Sequence, residues 1–221
     1  MMKLQPIQDI RGLSLWGKSF GLVASMMIGY IAYGWGSAWW EILSAISGVV
    51  CVVLVAEGKL SNYLWGLVNC ALYGLTSYHN SFFGDMSLNW AVYVPFQFIG
   101  FFLWNRATSE QTVEARALSL KQAAVALVLL AAAVELGRVI LTGYNGQHPM
   151  TDSLNVCLSL LATLLMALRF KEQWLCWIAV NVSGIYLWSQ AEGGDQAALL
   201  MWVAFLINSL YGYYRWSKSA K

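Results

Sequence analysis

Charge is scarce in this chain. Its 221 residues hold 13 lysines and arginines and 11 acids, 11% in all, where soluble domains carry about 25%. Histidine is nearly absent: His79 and His148 lie far apart, and no paired carboxylates stand at a spacing that acid–base catalysis needs, which argues against an enzyme. The four cysteines, Cys51, Cys70, Cys157 and Cys176, lack any CxxC spacing. Neither a disulfide framework nor a metal site is expected, and the four read as small packing residues. No basic run interleaved with aromatics lies outside the apolar segments, which excludes a nucleic-acid partner. No P-loop is present to bind a nucleotide, and no cofactor is expected. A short apolar core before a small-residue cleavage site is also missing, so the first apolar segment is expected to stay in the protein. Alternation of apolar and polar residues is missing too, which leaves no pattern for membrane strands.

What the chain has is apolar length. It is 59% apolar, with 12 tryptophans and a mean hydropathy of +0.57. A bilayer core takes about 20 apolar residues per helix, and a helix satisfies its own backbone there. The expected class is an all-α integral membrane protein with eight transmembrane helices, near 18–36, 39–57, 62–79, 84–105, 119–142, 152–169, 173–190 and 196–216. The glycine-rich first segment is the weakest, and a count of seven stays open. Under the eight-helix map Lys3, Arg11, Lys18, Lys59, Arg106, Arg116, Lys121, Arg169, Lys171, Arg215, Lys218 and Lys221 fall on one side and Arg138 alone on the other. The positive-inside rule then puts both termini in the cytoplasm. The outer segments are acidic and aromatic instead, with Trp35, Trp39, Trp40 and Glu41, then Asp85, then Glu192 and Asp195. Those tryptophans read as an interfacial belt.

The sequence repeats itself. A shift of 112 residues carries Trp65 onto Trp177, Asn69 onto Asn181, Trp90 onto Trp202, Gly100 onto Gly212 and Trp104 onto Trp216. The unit is three helices, with one helix, 119–142, between the copies. Three spans plus one is even, so both copies start on the same side and form parallel repeats about an axis along the membrane normal. The expected organisation is residues 1–38 as cytoplasmic N-terminus and accessory helix, 39–105 as first repeat, 106–145 as loop and linker helix, 146–216 as second repeat, and 217–221 as cytoplasmic tail.

This 3+1+3 plan is similar to that of the sugar-transporting SWEET family. WxxxN in the middle helix of each half, with Phe83-Gly84-Asp85 before the next, resembles the bacterial PnuC vitamin B3 transporters more closely. The likeness spans about residues 39–216. No proline–glutamine dipeptide of the related PQ-loop proteins is present, the nearest being Pro95-Phe96-Gln97. The resemblance implies a nicotinamide riboside carrier of the bacterial inner membrane without a coupled motor. It also implies a functional link to a cytoplasmic kinase that phosphorylates the riboside and so makes uptake directional. The alternative is a SWEET-like carrier of sugar or another small neutral solute. Exposed aromatic faces permit a homo-oligomer, a trimer among the numbers left open.

The polar inventory of the spans supplies candidate substrate-binding residues. Trp65, Asn69 and Tyr73 stand at i, i+4 and i+8 on one helical stripe; Trp177 and Asn181 repeat the spacing, with Tyr186 about a turn further. An unsatisfied amide in hydrocarbon costs about 2–7 kcal/mol, so each asparagine must face a cavity or bond a neighbouring helix. Gln97 and Asn208 add amides in the last helix of each half, Gln97 just past a kink expected where Pro95 frees the carbonyl of Ala91. For the implied pyridinium ring, Trp65, Trp177, Tyr73, Tyr186 and Tyr93 offer stacking and cation attraction. The carboxamide and ribose hydroxyls need neutral partners, which Asn69, Gln97, Asn181 and Asn208 supply. No basic residue lies mid-span to balance a phosphate, which favours the riboside over the mononucleotide. Glu135 stands three residues before Arg138, a spacing for a local ion pair and not a proton relay.

Overall fold

The computed structural model describes residues 5–109, 112–143, 149–190 and 196–220. Lys3, His148, Glu192, Asp195 and Lys221 lie outside the described residues. Apart from a two-rung antiparallel ladder, Thr108–Ser109 (β1) with Thr112–Val113 (β2), the regular structure is helical. The helices are α1 (Pro6–Arg11), α2 (Leu15–Gly34), α3 (Trp39–Ala56), α4 (Asn62–His79), α5 (Phe83–Ser87), α6 (Val94–Ala107), α7 (Leu120–Gly143), α8 (Pro149–Ala167), α9 (Gln173–Gln190) and α10 (Gln196–Ser219). Six helical stretches among the described residues are long and apolar enough to cross a membrane: α2, α3, Phe83–Ala107, α7, α8 and α10. The helices α4 and α9 have 18 residues each. They fall short in apolarity because they carry the amide, hydroxyl and tyrosine groups of the WxxxN segments.

Capping sets the helix limits. Ser14 accepts the Gly17 amide on its Oγ at 3.1 Å, so α2 starts at Leu15, earlier than the expected residue 18. Glu41, expected in a loop, sits in the first turn of α3 and accepts the Ala38 amide at 2.8 Å. Two helices end alike. After α3, Gly58 takes φ +66° while Lys59 N–H reaches Leu54 O at 2.9 Å; after α8, Arg169 takes φ +67° while Phe170 N–H reaches Leu165 O at 2.8 Å. Glycine adopts the left-handed turn freely, whereas an arginine there costs about 1 kcal/mol.

The fourth apolar segment is not one helix. Between α5 and α6, Leu88–Tyr93 forms a π-helical turn. A proline ring collides with the carbonyl four residues back, here Ala91, and widening the turn ahead of Pro95 relieves the collision. The expected irregularity is therefore a bulge, and the matching α10 runs unbroken over 24 residues.

Helices α3, α4 and α6 pack together, as do α8, α9 and α10; the groups meet where α3 lies along α10 and α6 lies on α8. Two tryptophans tie this junction reciprocally. Trp104 of α6 donates its indole N–H to Met166 O of α8 at 2.9 Å, and Trp216 of α10 donates to Ala56 O of α3 at 3.1 Å. Both lie at the end of the bundle that also carries residues 57–62 and 168–173, here termed basal; the opposite end is apical. The chain after β2 crosses the basal end, with Val113 N–H on Gly58 O at 3.0 Å and Arg116 N–H on Arg169 O at 2.8 Å. Helix α7 packs on α8, where Ser153 donates to Val134 O at 2.7 Å across the bare backbone of Gly137. Its Glu135 and Arg138 form the expected local pair, Nε to Oε2 at 2.8 Å, on the outer face.

Helix α2 packs on α3 and α10. Its cap residue Ser14 donates to Glu57 Oε1 at 2.5 Å, Tyr211 of α10 donates to the same oxygen at 3.3 Å, and Arg215 pairs with Glu57 Oε2 at 2.8 Å. Trp16 stacks on Tyr211 at 5.0 Å. Glu57 is 2% exposed and Arg215 38%. Removing the cation leaves a buried carboxylate held by two hydroxyls, so Arg215→Met should lower stability by about 2–3 kcal/mol, less than a fully buried pair because Arg215 is part-solvated. Detergent thermal unfolding measures it, and Glu57→Gln in the same background should recover most of the loss.

Candidate functional site

Between the two helix groups lies a cavity of about 130 Å³. One water needs on the order of 10–15 Å³ by the same measure, so the space suits a small organic solute. Helices from both groups line it: α4 supplies Asn69, Cys70 and Tyr73, α6 supplies Gln97, and α9 supplies Trp177 and Asn181. Tyr93 reaches it from the π turn, and its ring meets Trp177 edge-on at 6.2 Å. Six of the nine expected residues are thus brought together: Asn69, Tyr73, Tyr93, Gln97, Trp177 and Asn181.

The other three are not, for geometric reasons. Tyr186 follows Asn181 by five residues, which turns it about 140° away on the helix, and it is 71% exposed on the outer face. Trp65 misses the lining because four-residue steps drift about 40° per turn, so Trp65 and Tyr73 face directions about 80° apart. Asn208 is fully buried, but its Nδ2 donates to Val52 O of α3 at 2.8 Å, joining two helices. The 112-residue shift from Gln97 lands on Ser209, one position beyond, and Ser209 does line the cavity.

The two asparagines are held differently. Asn181 donates to Ser209 Oγ at 2.9 Å, within its own group. Asn69 donates to Ser44 O at 3.0 Å and meets Met201 Sδ of α10 at 3.4 Å, across the groups. Glycines let these side chains in. A Cβ on Gly48 would stand 2.7 Å from Asn69 Nδ2, one on Gly66 would stand 2.5 Å from Gln97 Oε1, and one on Gly184 would stand 2.5 Å from the Trp202 ring. Gln97 donates to Cys70 Sγ at 3.7 Å while its carbonyl oxygen has no partner among the described residues, as is true of Asn155 Oδ1.

Sequence reasoning missed several lining residues. Asn155, Ser159 and Thr163 stand at i, i+4 and i+8 along α8, a polar stripe in an apolar helix that the same spacing test would have found. Asp85, expected in an outer loop, sits in the first turn of α5 and lines the apical end. Tyr73 donates its hydroxyl to Asp85 Oδ2 at 3.2 Å and accepts indole N–H groups from Trp188 at 2.6 Å and Trp202 at 3.0 Å. That node joins α4 and α5 to α9 and α10. A basal cluster of Tyr63, Trp104, Trp174 and Trp216 closes the other end, with Trp104 against Trp216 at 6.0 Å and Trp174 against Trp216 at 5.9 Å.

Apolar helices around an aromatic and amide-lined chamber, bracketed by an aromatic cluster at each end, define a membrane transporter of small solutes. Residues 38–218 match the family described as "Nicotinamide mononucleotide transporter". The chain is 39% identical over 198 residues to the "Nicotinamide riboside transporter PnuC" of Neisseria mucosa, covering 83% of this chain and 74% of that one. It is 39% identical over 188 residues to the protein of the same name from Haemophilus influenzae, covering 83% and 81%, and 25% identical over 217 residues to that of Escherichia coli. The solved "Crystal structure of the Vitamin B3 transporter PnuC" superposes with a TM-score of 0.84 at 33% identity, covering 98% of this chain and 97% of that one. The chain belongs to the PnuC family of nicotinamide riboside transporters.

Proposed function

We propose that this chain carries nicotinamide riboside across the bacterial inner membrane by facilitated diffusion, with the central cavity as its binding site. The observation that carries this reading is the meeting of Asn69 and Asn181, from two WxxxN helices, in one chamber with Gln97, Tyr93 and Trp177. The aromatic rings suit a flat pyridinium, and the amides suit a carboxamide and ribose hydroxyls. The mononucleotide, which the family description names, is disfavoured because no lysine, arginine or histidine among the described residues lines the cavity to balance a phosphate.

In this reading α4 and α9 also span the membrane, giving eight spans, and α3–α6 and α8–α10 are parallel repeats with α7 as linker. Paired details support it. Trp90 lies over Gly74 as Trp202 lies over Gly184, and Tyr63 lies over Gly100 as Trp174 lies over Gly212. Among the described residues ten lysines and arginines belong to the basal side and Arg138 to the apical, which supports a cytoplasmic basal end with both termini there. Alternating access then opens the apical Tyr73 node and the basal tryptophan cluster in turn, as the groups rock about the site. A cytoplasmic kinase that phosphorylates the riboside keeps uptake directional. The exposed apolar face of α7 suits a homo-oligomer.

Protein in liposomes should equilibrate labelled nicotinamide riboside without an ion gradient. Trp177→Ala should raise the Kd about 5- to 30-fold, the loss of one stacked ring worth about 1–2 kcal/mol. Equal uptake of a hexose would replace this reading with the sugar-carrier one, and a requirement for a proton or sodium gradient would end the diffusion mechanism.

A further inference from the structure

Asp85 is the one charged side chain among the described residues that line the cavity. It sits on α5, where the helix that will run through the π turn into α6 begins, and no lysine, arginine or histidine among the described residues pairs with it. Among the described residues its one side-chain partner is Tyr73, which donates to Oδ2 at 3.2 Å. That phenol is committed: its oxygen already accepts from Trp188 at 2.6 Å and Trp202 at 3.0 Å, so its single proton goes to Asp85. Oδ1 has no donor among the described residues. Asn89, one turn on, turns its amide to the Asp85 backbone carbonyl at 2.9 Å and leaves the carboxylate free.

The wall offers amides, hydroxyls and rings but no described positive group, so a carboxylate there with one neutral hydrogen bond gains most from a cation. No described residue supplies a cation there, and the cargo can bring one. Resting on the riboside reading of this cavity, we infer that Asp85 is a specificity residue whose negative charge pairs with the fixed positive charge of the ring, selecting a cationic N-ribosyl pyridinium over uncharged analogues of the same shape. The neighbouring rings complete the setting: Tyr73 holds the carboxylate directly, Trp202 holds the Tyr73 hydroxyl, and both line the cavity, where aromatic rings also favour a cation. The same charge repels a phosphate. A phosphorylated cargo would bring its anion into a chamber whose described lining holds one negative group and no positive one.

The test compares nicotinamide riboside with ribosyl-benzamide, its uncharged planar counterpart, on purified protein by tryptophan-fluorescence titration. The wild type should bind the cation at least tenfold more tightly. Asp85→Asn, which keeps an acceptor for Tyr73, should weaken the cation at least tenfold while moving ribosyl-benzamide less than about twofold, so that the preference disappears. Equal losses for both ligands would make Asp85 a packing residue and overturn the inference, as would equal wild-type affinities, a comparison that needs no variant. Wild-type protein that binds neither ligand would instead overturn the riboside reading itself.

Discussion

Gly212→Ala should unfold the purified protein at a markedly lower temperature than the wild type. The added Cβ would lie 2.6 Å from Trp174 Cε2, and Trp174 is 2% exposed, edge-on to Trp216 and without room to swing away. Overpacking of this kind costs about 1–3 kcal/mol, and a rigid indole puts the expected value near the upper end. Gly34→Ala is the control: nothing lies within 4 Å of its Cβ, so the change should be neutral or gain up to about 1 kcal/mol from helix propensity. Gly100→Ala should behave like Gly212→Ala, since its Cβ would enter the Tyr63 ring in the corresponding place. Combining Gly212→Ala with Trp174→Leu should recover part of the loss, a coupling of about 1 kcal/mol or more. Additive losses would mean the glycine is not there to seat the ring.

Replacing either central asparagine with leucine should weaken nicotinamide riboside binding at least tenfold, with Asn69→Leu also slowing exchange. Leucine keeps the volume and removes the amide, and one lost ligand hydrogen bond is worth about 0.5–1.5 kcal/mol, more where a polar cargo group is left buried without a partner. Asn181 is held by Ser209 inside one helix group, so its loss should fall mainly on affinity. Asn69 reaches Ser44 O and Met201 Sδ, linking α4 to α3 and α10 across the groups, so its loss should also alter the rate at which they move. Calorimetric binding and liposome exchange on the same preparations separate the two effects. A variant that binds as the wild type does would remove that asparagine from the site.

Much of the fold was legible because membrane helices announce themselves. The limits expected for α4 and α9, residues 62–79 and 173–190, coincide with those in the structure even though these two fall short of the apolarity of the other six. Pro95 announced an irregularity, though the π turn that resolves it depends on how the surrounding backbone relaxes. Cavity-lining residues were legible where a stripe at four-residue spacing stayed on one face. They were lost where the spacing slipped by one, as at Tyr186 and Asn208, because a single residue turns a helix about 100°. Asp85 was misplaced for another reason. The triplet Phe83-Gly84-Asp85 looks like a loop, and the first turn of a helix can aim a side chain down into a bundle only once the bundle is assembled.

By itself the sequence determined the class and the helices, because hydropathy, glycine and proline act within a few residues of the chain. Scarce charge and long apolar runs leave a bundle of helices as the solution, and WxxxN at one offset marks the two helices that bring Asn69 and Asn181 to the cavity. Only the tertiary structure decided which of those groups share a chamber. The phenol of Tyr73 meets indoles 115 and 129 residues away and the carboxylate of Asp85, and Asn208 is spent on a backbone carbonyl 156 residues off. Such contacts depend on the rotation of each helix against its neighbours, which packing sets and local sequence does not.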